Sequence, residues 1–74
     1  MPQKIKVRRA AFAVARAAAG YRSDYSLAKA MQVARSTVGR VLEGDIRPGA
    51  AFIGGALAAL PEQKFEDLFE VEQP

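Results

Sequence analysis

Ser23–Gly44, SDYSLAKAMQVARSTVGRVLEG, decides the reading of this 74-residue chain. Leu27, Ala28 and Met31 recur at helical spacing, as do Val38, Val41 and Leu42. Ser23 is an N-cap residue type, and Asp24 suits the positive end of a helix dipole. The stretch therefore predicts a helix to about Met31, a turn at Gln32 and Val33, and a helix over about Arg35–Leu42 closed by Gly44. Ala28 is small where the two helices would cross. Burying Val33, Val38 and Val41 turns Arg35, Ser36, Gly39 and Arg40 outward, with Thr37 nearby.

Upstream, Met1–Lys6 reads as a flexible basic arm and Val7–Ala19 as a helix. Val7, Ala11, Val14 and Ala18 share one face of that helix, with Phe12 and Ala15 beside them, and Gly20 ends it. Downstream, Asp45–Gly49 is a loop broken by Pro48 and Gly49. Ala50–Leu60 predicts a fourth helix presenting Phe52, Ile53, Ala56, Leu57 and Leu60, ended by Pro61. Gly54 and Gly55 cost it roughly 1 kcal/mol each against alanine, which suggests that another backbone passes close by. Phe65–Val71 fits a short helix or a short strand in Leu68–Val71; a helical turn followed by an extended tail is the preferred reading. The expected architecture is one all-α domain over residues 7–71, a compact bundle of four to five short helices, with 72–74 as a tail.

The net charge of +3 conceals an asymmetry. Residues 1–60 hold ten Lys/Arg against Asp24, Glu43 and Asp45, a net of +7. Residues 61–74 hold Lys64 against five carboxylates, a net of −4. A basic body suggests a polyanionic partner, with the acidic tail turned away from it. Without Cys or His, thiolate and imidazole chemistry are excluded, and the remaining acids lack the arrangement of an acid–base pair. The composition argues against an enzyme and a thiolate metal site; no cofactor is implied, and the size leaves no room for a small-molecule ligand domain. No apolar run is long enough to span a bilayer. KIKVRRAAFAVARAAAG is rich in Arg and free of acids like a transit peptide, but it lacks the Ser content and is needed as a core helix. The expectation is a cytoplasmic protein with no membrane partner.

The apolar skeleton of residues 22–71 resembles the Cro/C1-type helix-turn-helix of phage repressors and related bacterial regulators. Leu27 and Ala28 fill its first positions, Met31 precedes the turn, Val33 follows it, and Val38 and Val41 form the later pair. FIGGALAALPEQKFEDLFEVE is similar to the end of small actinobacterial or actinophage members. The resemblance implies a lambda repressor-like fold, duplex DNA as partner, and a transcriptional regulator in a bacterial cell or phage-infected host. As a repressor or Cro-like protein, it would act by occluding an operator. Arg35, Ser36 and Thr37 begin the recognition helix, whose start reaches base edges in this motif. Arg reads guanine by a two-pronged hydrogen bond, and Ser or Thr serve bases or phosphates. Arg40 and Gly39 complete the expected base-contacting set, Gly39 by admitting close backbone approach. Lys4, Lys6, Arg8, Arg9, Tyr25 and Arg47 are the expected backbone contacts.

Three positions depart from the family pattern. Gln32 replaces the turn glycine, which predicts a strained or altered turn. Ala34 replaces a Ser or Thr cap, at a cost of about 1 kcal/mol. Asp24 stands where glutamine often bonds a phosphate; an acid there would be repelled, and its expected role is to hold Arg35 in place.

Two other functions compete: an antitoxin-type interaction protein using its acidic tail, and a nonspecific nucleic-acid or membrane-surface binder using its basic N-terminal helix. A homodimer through Phe65–Val71 and a tail folded back over a monomer's core are both open. The operator and the direction of regulation are open as well.

Overall fold

The computed structural model describes residues 3–73. Strand β1 (Lys4–Val7) leads into α1 (Arg9–Ala18), α2 (Asp24–Met31), α3 (Arg35–Glu43), α4 (Ala50–Ala59), α5 (Phe65–Leu68) and β2 (Phe69–Glu72). The two strands pair antiparallel, Lys4 opposite Glu72, Ile5 opposite Val71, Lys6 opposite Glu70 and Val7 opposite Phe69.

This sheet corrects the all-α expectation. KIKV and FEVE each alternate apolar and charged residues, so pairing sets base against acid on one face and apolar against apolar on the other. Lys6 Nζ lies 3.6 Å from Glu70 Oε1. Each four-residue run is too short to announce a strand alone, and its partner lies at the opposite end of the sequence. The basic arm is corrected for the same reason: residues 4–6 belong to β1, while residues 1 and 2 lie outside the described residues. Of the expected tail, Glu72 ends β2, the Gln3 side-chain amide donates to Gln73 Oε1 at 3.0 Å, and residue 74 lies outside the description.

The face of α1 is also rotated from its expected position. Phe12 and Ala15 are buried, whereas Ala11 and Ala18 are exposed and Val14 is 70% exposed. The large Phe12 ring sets the inward direction, and Val7 is buried from β1 rather than from the helix. The other helices bury expected residues: Leu27, Ala28 and Met31 from α2, Val38 and Val41 from α3, Phe52 and Ala56 from α4, with Leu60 just beyond it.

Phe12, Phe52 and Phe69 form the centre of the core, with ring centroids 5.9–6.3 Å apart. Phe65 stacks on Phe69 at 5.3 Å. The segment after α4 thus folds back: Leu68 and Phe69 are fully buried in their own chain.

Helices α1, α2 and α3 end alike. Tyr21 N–H donates to Arg16 C=O, Val33 to Ala28 and Asp45 to Arg40, each spanning a left-handed residue: Gly20, Gln32 and Gly44. Paired with the i to i−3 bonds from Gly20, Gln32 and Gly44 to Ala17, Lys29 and Val41, these are Schellman closures. Gln32 is the sole non-glycine residue with positive φ among the described residues, at 60°, so the expected strain is real and localised. The two glycines of α4 separate. A Cβ on Gly55 would collide with the Met31 backbone, so α2 and α4 touch there, whereas Gly54 faces open space.

Candidate nucleic-acid interface

The α2 start is fixed before α3 is placed against it. Ser26 N–H donates to Ser23 Oγ at 3.0 Å, and Ser23 N–H donates to Ser26 Oγ at 3.4 Å, a reciprocal cap. Arg16 reaches across from α1: its Nε donates to Tyr21 C=O at 3.2 Å and its Nη1 to Asp24 Oδ1 at 2.8 Å. Asp24 therefore pairs with Arg16, which corrects its expected partnership with Arg35. The physical reason is the Gly20 closure, which swings Tyr21 and the α2 start back over the last turn of α1.

Helix α3 lies against α2 with Val38 fully buried and Val41 nearly so. Its N-cap, Ala34, makes no side-chain bond, so the first turn depends on this packing. Arg35, Ser36 and Arg40 are exposed, while Thr37 and Gly39 are half-buried. An open groove between the starts of α2 and α3 is lined by Ser23, Asp24, Tyr25, Arg35 and Ser36. Tyr25, expected as a backbone contact, is 60% exposed beside Arg35 and Ser36. Gly39 sits over Asp24: a Cβ on it would lie 3.8 Å from Asp24 Oδ2.

The remaining expected cations divide differently. Lys6 pairs with Glu70, Arg8 with Glu70 at 3.8 Å, and Arg47 with Glu72 at 2.7 Å. Arg8 Nε also donates to the carbonyls of Glu66 at 3.0 Å and Phe69 at 3.3 Å, locking the α5–β2 junction. The acidic tail is thus held against the body, where two carboxylates, Glu70 and Glu72, pair with three of the six residues expected to meet a phosphate backbone. Lys4, Arg9, Arg35 and Arg40 carry no ion pair among the described residues. Arg22 and Lys29 are also exposed, on the segment before α2 and on α2.

The positioning role of Arg16 was not legible in the sequence. Its i+8 partner lies beyond a helix end and a turn, so helical periodicity carries no signal for it. Among the described residues no helix is long and apolar enough to cross a membrane. The chain matches no known family, no curated protein and no solved structure.

Proposed function

We propose that this protein binds duplex DNA sequence-specifically and regulates transcription, with α3 entering the major groove. The observation that carries the reading is the division of α3. Val38 and Val41 anchor one face, while Arg35, Ser36 and Arg40 project from the rest of the helix with no hydrogen bond or ion pair to their side chains among the described residues. Two long charged donors and a hydroxyl on a buried-backed helix match what base-edge readout requires. Tyr25 and Ser23, at the start of the neighbouring helix, line the same groove as Arg35 and Ser36 and on this reading take the flanking phosphates.

The pairing of Lys6, Arg8 and Arg47 with Glu70 and Glu72 also favours this reading over a nonspecific binder. A protein relying on bulk charge would leave those cations open, because each phosphate contact adds to salt-dependent affinity. Regulation by operator occlusion follows from the resemblance described above and rests on it.

Selection of bound duplexes from a random pool tests the proposal. A recovered consensus, bound far more tightly than scrambled duplex at fixed salt, is the expected result. Equal affinity for selected and scrambled duplexes would sink it. A palindromic consensus would indicate two subunits on the site, and a single half-site one.

A further inference from the structure

Strand β1 has an unused edge. Arg8 N–H donates to Leu68 C=O at 2.8 Å, in register with Lys6 opposite Glu70 and Lys4 opposite Glu72. The alternation of an antiparallel ladder then turns the N–H and C=O groups of Ile5 and Val7 away from β2. Among the described residues no strand lies on that side and none of these four groups has a partner.

The edge borders a cleft between β1 and the loop after α3. Val7, Val41 and Ile46 supply apolar lining; of the three cations on it, Lys6 and Arg47 are paired with Glu70 and Glu72, and Arg9 carries no ion pair among the described residues. Asp45 is the single acid on the lining. Val41 lies six residues beyond Arg35, roughly 9 Å along the axis of α3, so the cleft is at the other end of that helix from the groove at Arg35.

We infer that this edge is a docking site for an extended partner segment that alternates apolar and acidic residues and adds to β1 as a third strand. The inner edge of β1 already shows the chemistry it accepts. Phe69 and Val71 of β2 lie opposite Val7 and Ile5, while Glu70 and Glu72 lie opposite Lys6 and Lys4. A strand of the same pattern on the outer edge meets the same two faces, and Lys4 has no ion pair among the described residues. Such strand addition takes affinity from main-chain bonds and selectivity from alternate side chains.

Two other occupants fit less well. In a second copy, β1 would bring Lys4 and Lys6 against lysines. The β2 strand of a second copy has its Phe69 N–H bonded to Phe65 C=O and its Phe69 C=O bonded to Arg8, so it lacks a full outward ladder. Nucleic-acid phosphates only accept hydrogen bonds, and would leave the Ile5 and Val7 carbonyls unpaired.

The test titrates the full chain with a capped hexapeptide of alternating glutamate and valine. A capped lysine–valine hexapeptide and a short DNA duplex are the comparison arms. Amide exchange at Ile5 and Val7 is read by NMR. The expected result is slowed exchange at both amides with the acidic peptide, which binds about tenfold more tightly than the basic one. Unchanged exchange, or equal binding of the two peptides, overturns the inference. So does protection conferred by the duplex, or protection that rises with protein concentration alone, since these assign the edge to DNA or to a second copy.

Discussion

The Arg16 guanidinium lies 2.8 Å from the Asp24 carboxylate and ties the last turn of α1 to the first turn of α2. Asp24 in turn lies close to Gly39 of α3, so the ion pair sits where the three helices meet at the candidate groove. The Arg16 side chain is only 16% exposed, whereas that of Asp24 is 45% exposed. Arg16→Met keeps the apolar stem but removes the bonds to Tyr21 and Asp24. It is expected to lower stability by about 1–2 kcal/mol, because solvent screens the exposed end of the pair. Urea unfolding with an unchanged m-value checks this, and an unshifted midpoint would deny the pair a structural role.

The paired glycines of α4 give opposite expectations. Gly54→Ala adds a methyl into open space and improves helix propensity, a gain of up to about 1 kcal/mol. Gly55→Ala drives a methyl into the Met31 backbone and is expected to cost about 1–3 kcal/mol as α2 and α4 separate. Thermal unfolding of the two variants in one buffer decides between them; equal shifts would refute the contact.

Gln32 carries the strain of the turn between α2 and α3. Gln32→Gly relieves the left-handed conformation and is expected to stabilise by about 0.5–1 kcal/mol, the relief exceeding the extra entropy of an unfolded glycine. A lower melting temperature for this variant would show that the Gln32 side chain contributes more than its backbone costs.

If α3 reads DNA as proposed, Arg35→Ala is expected to weaken binding to the selected duplex by about 1–3 kcal/mol and relax specificity at one base pair. Competition binding against operator and scrambled duplex measures both effects. Equal losses on the two duplexes would reduce Arg35 to a phosphate contact.

The acidic strand makes a separate prediction about salt. Glu70→Gln with Glu72→Gln releases Lys6, Arg8 and Arg47 from their carboxylate partners. Affinity for any duplex should rise, and the salt slope should steepen by about 0.9 for each cation that then meets a phosphate. A slope identical to that of the parent chain would place these three cations away from DNA.

The sequence by itself determined the helical middle of this protein. Capping at Ser23, closure at Gly20 and Gly44, and the inward face of Leu27, Ala28, Met31, Val38 and Val41 were legible from residue types and spacing within a few positions. The exposure of Arg35, Ser36 and Arg40 follows from that same periodicity. Only the tertiary structure decided the ends. KIKV and FEVE become strands because each supplies the other's hydrogen bonds and countercharges across nearly the whole chain, a nonlocal term that no local window contains. It also decided which cations remain open: Arg8 and Arg47 look alike in sequence to Arg35 and Arg40, but the folded-back β2 takes up the first two and leaves the last two facing solvent.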